Sequence, residues 1–295
     1  MHGRRRARPA LLIEPVSPDV IARQVAAALA EDLGTGDVTA ALVPPQQQVR
    51  AQVIAREPAV FCGSAWVTET FRQLDKSVAL EWLASDGERI VGDMPVVKIS
   101  GAARPILSGE RTALNFLQTL SATATSASRY AEAVAGTPCR ILDTRKTLPG
   151  LRLAQKYAAR CGGAQNHRLG LYDMVLIKEN HIIAAGSIAA AVSSARKNSP
   201  GLPVEVEVES LGEFDQALAA GADIIMLDEL THDDMRTAVA RNRERGSRAK
   251  LEASGSVTMA TVRDVALTGV DYISIGGITK HVQAIDFSMR LEFAA

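Results

Sequence analysis

Hydrophobic residues recur along the chain with two different periods, and these periods divide it into two regions. Between residues 17 and 105, one segment has helical spacing, while several short segments alternate apolar and polar residues as strands do. The helix is predicted at 21–29 and the strands at 50–56, 78–83 and 94–99. Residues 108–135 then carry apolar residues at helical spacing and predict one or two long helices. The first region therefore reads as an N-terminal α+β domain.

From residue 140 onward, short apolar strands alternate with helical segments at a regular pitch. Strands are predicted at 140–143, 174–177, 204–208, 223–227, 250–253 and 271–275, and helices at 184–197, 211–220, 233–245 and 257–267. This alternation is typical of a parallel α/β sheet. The strands are fewer than a closed barrel contains, which favours an open, incomplete parallel α/β barrel, although periodicity alone does not exclude a doubly wound sheet.

Polar residues or glycines follow five of the predicted strands directly. In parallel α/β folds, ligands bind where the strands end, so we expect these five groups to face one cavity. They are Arg145-Lys146, Lys178-Glu179-Asn180, Asp228-Glu229, Ser254-Gly255-Ser256 and Gly276-Gly277.

Composition narrows the classes of function. The chain has 33 basic and 33 acidic residues, and this balance argues against general nucleic-acid binding. No apolar run reaches the roughly 18 residues of a membrane span. Three widely spaced cysteines form no disulfide framework, so a cytoplasmic location is expected. Four arginines lie among residues 1–9, and we predict a flexible tail over residues 1–16.

Charge is concentrated in one stretch of this neutral chain. Residues 140–178 hold eight Lys or Arg and only two acids, which calls for an anionic partner. Arg145, Lys146, His167, Arg168 and Lys178 lie at predicted strand ends or in a glycine-containing loop, and we expect them to bind that anion. The remaining basic residues of the predicted helix in this stretch are expected to form a solvated face. They are Arg152, Lys156 and Arg160.

The strand at 204–208 carries unusual carboxylates. Glu205, Glu207 and Glu209 alternate with valines, so all three are expected on one side of a strand that is covered on both faces. Because an unpaired buried carboxylate is costly, Glu207 and Asp228 are candidates to hold a divalent ion or sugar hydroxyls. The alternative is that these glutamates pair with the nearby basic residues.

Glycine turns after the last two strands suggest phosphate binding, since glycine lets backbone N–H groups approach an anion. Ser256 is expected to cap a helix that begins at Val257. Cys161 has no catalytic partner pattern and is interpreted as a bystander. His181 is expected either to line the site or to cap the next helix.

Several of these segments together resemble the quinolinate phosphoribosyltransferase family, and the resemblance extends from about residue 21 to residue 293. The segments that carry it are EDLGTGDVT (31–39), GERTALNFL (109–117), DTRKTLPGLR (143–152), CGGAQNHRLGLYDMVLIKENHI (161–182), VEVEVESL (204–211), IMLDE (225–229), EASGS (252–256) and YISIGGIT (272–279).

The resemblance implies an N-terminal α/β domain over residues 17–115, which residues 282–295 rejoin, packed on an open α/β barrel over residues 116–281. It implies a homodimer in which Arg111 reaches the active site of the neighbouring subunit, and an Mg²⁺ ion held with Glu207 and Asp228, directly or through water or substrate. Substrate contacts are implied for quinolinate and for phosphoribosyl diphosphate. They are Arg111, Thr144, Arg145, Lys146, His167, Arg168, Lys178, Glu207, Asp228, Ser254, Gly255, Ser256, Ile275, Gly276 and Gly277, with Lys146, Lys178, Glu207 and Asp228 in catalytic roles.

Two positions depart from the family pattern, which often has glycine where this chain has Ala164 and alanine where it has Gly277. Neither departure removes a charged group. The implied activity is the conversion of quinolinate and phosphoribosyl diphosphate to nicotinate mononucleotide, carbon dioxide and diphosphate, without nucleic acid or membrane. The alternatives are a related phosphoribosyltransferase that acts on another acid, and a non-catalytic phosphate-binding protein.

Overall fold

The computed structural model describes residues 14–293 and contains a mixed sheet region and a parallel sheet region. The helices are α1 Pro18–Leu33, α2 Ser64–Leu74, α3 Ala103–Ala133, α4 Arg152–Cys161, α5 Glu179–Ala185, α6 Ile188–Asn198, α7 Leu211–Ala219, α8 His232–Glu244, α9 Val262–Ala266 and α10 Gly277–Lys280. The strands are β1 Gln48–Ala55, β2 Ala59–Val60, β3 Ala79–Trp82, β4 Arg89–Ile90, β5 Met94–Ala102, β6 Arg140–Leu142, β7 Val175–Ile177, β8 Val204–Val208, β9 Ile224–Asp228, β10 Lys250–Ser254, β11 Tyr272–Ser274 and β12 Phe287–Phe293.

The N-terminal region is built on an antiparallel sheet with the strand order β12-β1-β5-β3. Strand β1 alternates buried and exposed residues over most of its length, as its sequence pattern predicts. The C-terminal strand β12 returns to pair with β1 over its whole length. Residues that follow the barrel in sequence therefore form an edge strand of the N-terminal sheet.

Helix α3 connects the two regions as one continuous helix of 31 residues. Its apolar residues, among them Leu114, Leu117 and Leu120, are buried. The prediction of one or two helices is thus resolved in favour of one, which begins five residues before the predicted position 108. The domain boundary predicted after residue 115 falls inside this helix.

The second region is a six-stranded, fully parallel sheet with the order β6-β11-β10-β9-β8-β7. In the described part of the chain, β6 and β7 do not pair with each other, so the barrel is open. The sequence prediction of six strands in an incomplete parallel barrel is confirmed. Because all six strands run in the same direction, their carboxyl ends meet at one rim.

Two of the predicted helices differ in the structure. The segment 184–197 is divided into α5 and α6, because Gly186 adopts the left-handed conformation at the end of α5 (φ 87°) and Ser187 caps α6. The helix predicted at 257–267 begins only at Val262, so Ser256 does not cap it, which corrects the prediction.

The predicted tail over residues 1–16 lies mostly outside the described residues. At its end, Val16 is buried and Arg160 donates a hydrogen bond to the Glu14 carbonyl at 2.6 Å, so residues 14–16 pack against the folded protein. Among the described residues, none of the helices combines the length and apolar character that crossing a bilayer requires.

Candidate active site

A cavity of about 460 Å³ lies at the carboxyl ends of the parallel strands. Its wall consists mostly of side chains that lie in those strands or directly follow them. They are Thr144, Arg145, Lys146, His167, Arg168, Leu176, Lys178, Glu207, Met226, Asp228, Glu252, Ser254 and Ser274. Four of the five predicted strand-end groups contribute directly to this wall. The fifth group, Gly276-Gly277, lies next to the wall, because Gly276 is close to the Thr144 and Lys146 side chains.

A larger groove of about 610 Å³ lies on the N-terminal sheet, between β1, β3, β5 and β12. It contains none of the strand-end residues of the barrel. The smaller cavity is therefore the candidate site, because it collects titratable groups of both signs at the ligand-binding end of a parallel sheet.

The loop that carries His167 and Arg168 is anchored by a buried ion pair. Lys156 lies 2.5 Å from the Asp143 carboxylate and also donates to the His167 carbonyl at 2.9 Å. The same carboxylate accepts the His167 N–H at 2.9 Å and the Asn166 amide at 2.6 Å. Lys156 is only 1% exposed, so its prediction as a solvated surface charge is wrong.

Two guanidinium groups face the cavity with few partners in the protein. Arg168 makes one long hydrogen bond, to the Met174 carbonyl at 3.4 Å. Burial and the neighbouring Arg145 lower the pKa of Arg168 below its ordinary value, although an arginine remains charged. The Arg145 Nε is buried without a hydrogen-bond partner in the described structure. Two close cations with so few partners in the protein provide a site for an anion with more than one negative group.

Behind these arginines, His167, Glu205 and Glu252 form a buried cluster. The His167 Nε2 atom lies 3.0 Å from a Glu205 oxygen and 3.5 Å from a Glu252 oxygen, without a well-aligned hydrogen bond to either. Burial and the nearby Glu205 raise the pKa of Glu252 to about 8. Burial opposes the charged imidazolium, but the two carboxylates outweigh it and raise the pKa of His167.

The opposite part of the rim carries Lys178, Glu207 and Asp228. The Lys178 ammonium is in direct contact with a Glu207 carboxylate oxygen, while Asp228 ends β9 and is half-buried. The alternative in which the strand glutamates pair with basic residues thus describes Glu205 and Glu207. Glu209 lies beyond the end of β8 and is exposed, so it does not share the buried side of the strand as predicted.

The two glycine turns differ in the space that they leave. Gly255 has a φ of 125°, and a Cβ there would meet the Glu229 carboxylate at 2.6 Å. The Ser256 hydroxyl donates to the same carboxylate at 2.8 Å. At Gly277 a Cβ would make only ordinary contacts, the nearest at 3.6 Å, so the alanine that is common in the family would fit there.

Other predicted residues lie away from the cavity or have a structural role. Arg111 is exposed on α3 and does not line the cavity of its own chain. Of the two expectations for His181, capping is observed, since its Nδ1 accepts the Lys178 N–H at 3.0 Å. Cys161 is buried near Cys62, and Ala164 and Ile275 are buried in the barrel core.

Sequence reasoning missed Glu252 and Asp143 as parts of the site. Both follow the same signal that identified Glu205, a carboxylate within or directly after a short apolar strand. Ser274, Met226 and Leu176 also line the cavity, but as ordinary strand residues they carry no distinguishing pattern.

Comparisons with known proteins show which family the chain belongs to. The C-terminal domain of quinolinate phosphoribosyl transferase matches residues 123–290, and its N-terminal domain matches residues 37–121. A probable nicotinate-nucleotide pyrophosphorylase [carboxylating] from Synechocystis is 42% identical over 89% of this chain and 90% of its own length. The nicotinate-nucleotide pyrophosphorylase [carboxylating] of Mycobacterium leprae is 40% identical over 90% of this chain and 94% of its own length.

A solved structure of the nicotinate-nucleotide pyrophosphorylase from Francisella tularensis superposes with a TM-score of 0.92 and 45% identity, covering 95% of this chain and 99% of that one. Both family domains match in the expected order, and together they cover most of the chain. The chain therefore belongs to the quinolinate phosphoribosyltransferase family.

Proposed function

We propose that the protein converts quinolinate and phosphoribosyl diphosphate to nicotinate mononucleotide, carbon dioxide and diphosphate, in NAD biosynthesis. The observation that carries the proposal is the division of charge in one cavity. Arg145 and Arg168 form a cationic wall, while Glu207 and Asp228 stand with Lys178 on another part of the rim. A protein that only bound anions would gain nothing from these carboxylates.

The cationic wall binds the acid in this proposal. Quinolinate carries two adjacent carboxylates on a planar ring, and two guanidinium groups can each bind a carboxylate through paired N–H donors. Because neither arginine is strongly engaged within the protein, little internal bonding must be broken when the diacid binds. The part of the rim that carries Lys178, Glu207 and Asp228 then binds the phosphoribosyl donor.

The ring nitrogen of quinolinate attacks C1 of the ribose, and the bond from C1 to diphosphate breaks. Positive charge develops at C1, where Glu207 and Asp228 stabilise it or hold the ribose hydroxyls, while Lys146 and Lys178 stabilise the leaving diphosphate. The pyridinium nitrogen formed in this step withdraws electrons from the neighbouring ring carbon. That carbon can then lose its carboxylate as carbon dioxide and take up a proton.

Mg²⁺ is the proposed metal, and the donor set fits it in one specific way. Within the described residues, neither group of three close protein ligands includes Glu207 or Asp228, so these two carboxylates would hold the ion together with phosphate oxygens of the substrate. When bound, such an ion neutralises charge on the diphosphate. The carboxylates themselves orient the donor beside the Lys178 ammonium.

The 5′-phosphate is proposed to lie against the two glycine turns. Ser254, Gly255 and Ser256 follow β10, and Ile275, Gly276 and Gly277 follow β11, at adjacent positions of the parallel sheet. Gly276 leaves room that a side chain would fill, since a Cβ there would lie 2.9 Å from Lys146. Glu229 must release the Ser256 hydroxyl before that hydroxyl can bind phosphate.

A homodimer with a shared active site is also proposed. Arg111 is exposed on α3 and absent from the cavity of its own chain, which fits a role in the site of a second copy. The described cysteines are all free, as expected for a reducing cytoplasm, and we propose that location for the protein.

The activity is tested by incubating the purified protein with quinolinate, phosphoribosyl diphosphate and Mg²⁺ and measuring nicotinate mononucleotide. Lys178→Met is expected to abolish turnover, while Lys250→Met, at the opposite end of the barrel in a pair with Asp271, leaves it intact. Absence of product from folded wild-type protein would refute the proposal. Replacing quinolinate by nicotinate or another pyridine acid tests the alternative substrate.

The shared site is tested by mixing two inactive variants. Arg111→Ala and Lys178→Met alter residues that belong, in the proposal, to sites contributed by different subunits. A mixed dimer then contains one site without either substitution, and activity is expected to reappear on mixing after subunit exchange. If mixed dimers form and stay inactive, Arg111 acts within its own chain or not at all.

A further inference from the structure

Gln155 is a polar residue of α4 that is completely buried, next to Lys156 in sequence. Its side-chain amide makes three hydrogen bonds. The Oε1 atom accepts the Leu148 N–H at 2.7 Å, and the Nε2 atom donates to the Thr279 carbonyl at 2.8 Å and to the Thr123 hydroxyl at 3.2 Å. Because an amide without partners is costly to bury, these contacts hold the side chain in one orientation.

Gln155 joins two parts of the cavity rim that lie far apart in sequence. Leu148 belongs to the loop between β6 and α4, which also carries Lys146, and Thr279 lies in α10, which begins at Gly277 in the second glycine turn. Backbone groups of both segments bind the same buried amide. One side chain inside the barrel therefore fixes the position of the Lys146 loop relative to α10.

Thr279 extends this connection to Lys146 itself. Its hydroxyl donates to the Lys146 carbonyl at 2.9 Å, while its own carbonyl accepts from Gln155. Thr279 is completely buried, so neither of its polar groups exchanges its partner for water. Two hydrogen bonds in series thus lead from the Gln155 amide through Thr279 to the backbone of Lys146.

The Lys146 side chain contacts the same turn from the cavity side. A Cβ added at Gly276 would lie 2.9 Å from the Lys146 Cδ and 3.7 Å from its Nζ, so the stem of the lysine crosses the bare glycine. Among the described residues, the Lys146 ammonium has no carboxylate partner. A lysine stem is flexible. The direction of this ammonium therefore depends on the contact with Gly276 and on the backbone that Thr279 holds.

We propose that Gln155 and Thr279 are positioning residues for the phosphoribosyl donor, which act through Lys146 by holding it at a fixed place beside the turn of Gly276 and Gly277. This inference rests on the proposed function and deepens it. In that function Lys146 contacts the diphosphate and the turn contacts the 5′-phosphate, which are opposite ends of one substrate. Both contacts form together only if their separation in the protein matches the length of the donor.

Substitutions at Thr279 test the last step of this connection. Thr279→Val keeps the shape of the side chain and removes the hydroxyl, so kcat/KM for phosphoribosyl diphosphate should fall about tenfold, as expected for one lost hydrogen bond. The KM for quinolinate should not change. Thr279→Ser keeps the hydroxyl and should behave as the wild type. Thr268→Val is the matched control, since the buried Thr268 hydroxyl donates to the Val265 carbonyl at 2.7 Å in the loop that leads into β11, at the opposite end of the barrel.

A substitution at Gln155 tests whether the two residues act in series. Gln155→Leu should cause the same selective loss for phosphoribosyl diphosphate. Adding Thr279→Val to Gln155→Leu should reduce kcat/KM no further, because both substitutions interrupt one chain of contacts. Losses that multiply in the double variant would mean that the two residues act by separate routes and would overturn the proposed connection.

Other outcomes would also contradict the proposal. It fails if Thr279→Val leaves kcat/KM for phosphoribosyl diphosphate unchanged, if the KM for quinolinate rises equally, or if Thr268→Val causes the same loss, because each result would indicate a general effect on the fold. Thermal denaturation verifies that the variants fold, and the Thr279 variants decide the question if Gln155→Leu does not. A wild-type protein that forms no product would instead refute the proposed function.

Discussion

Two clusters of buried charge meet at residue 167, and they are satisfied to very different degrees. In the first, the Asp143 carboxylate receives Lys156, the His167 N–H and the Asn166 amide, all within 2.9 Å. In the second, the Glu205 and Glu252 carboxylates are fully buried, and none of their oxygens has a well-aligned hydrogen bond in the described structure. The first cluster fixes the conformation of the loop, and the second places carboxylates without hydrogen-bond partners beside the cavity.

Burial acts on both clusters in the same sense. It raises the pKa of Asp143 and lowers the pKa of Lys156, while their mutual attraction opposes both effects. Burial also raises the pKa of Glu252, and the neighbouring Glu205 raises it further, to about 8, because it repels a second negative charge. The comparison teaches that burial of a carboxylate is tolerated either with a cation and several donors, or with a proton.

Removing the cation of the first cluster should have the largest effect on stability. Lys156→Met leaves Asp143 buried without its partner and is expected to lower the free energy of unfolding by about 3–5 kcal/mol. Arg160→Met, one turn later on α4, loses only a bond to the Glu14 carbonyl and is the matched control, with a loss under about 1 kcal/mol. Urea denaturation measures both, and equal losses would remove the distinction.

Removing the charge of the anion in the same cluster should have a somewhat smaller effect. Asp143→Asn retains the shape of the side chain but leaves the Lys156 ammonium buried without a counter-charge. We expect a loss of about 2–3 kcal/mol, as for hydrogen bonds to charged groups. The KM for quinolinate should rise as well, because the loop of His167 and Arg168 loses its anchor. Unchanged stability would show that the carboxylate is not needed as a charge.

Sequence reasoning recovered most of the fold because the strand and helix periods are clear. It placed the strands of the barrel within one or two residues and found the cations of the rim from their position after the strands. It misjudged Lys156, because helical spacing predicts which face of the helix a residue occupies but not whether that face packs against a buried carboxylate such as Asp143. It overlooked Asp143 and Glu252, because their partners lie on other strands and loops that only the folded chain brings together.

Replacing a carboxylate by an amide in the second cluster should raise the free energy of unfolding, whereas Asp143→Asn in the first cluster lowers it. The pKa of Glu252 is about 8 in the folded protein and ordinarily about 4.5, so between these values only the unfolded chain ionises. The contribution of Glu252 to wild-type stability therefore falls as pH rises through this window and changes no further above it. Glu252→Gln avoids this loss, which amounts to about 1.4 kcal/mol for each unit by which folding raises the pKa.

The measurement compares urea denaturation of wild type and Glu252→Gln at pH 5 and pH 9, conditions on either side of that window. We expect the variant to gain stability relative to wild type mainly at the higher pH. A difference that does not depend on pH would mean that Glu252 is ionised throughout, and the two clusters would then be alike.

A third ion pair, Lys178 with Glu207, tests whether the comparison depends on burial. It lies on the cavity rim, where the lysine side chain is 47% exposed, so water screens the attraction. Lys178→Met should therefore change the free energy of unfolding by less than about 1 kcal/mol while it abolishes turnover. The same change of side chain in Lys156→Met should reduce stability far more. If Lys178→Met proved as destabilising as Lys156→Met, exposure would not be what separates a pair that holds the fold from a pair that is available to substrate.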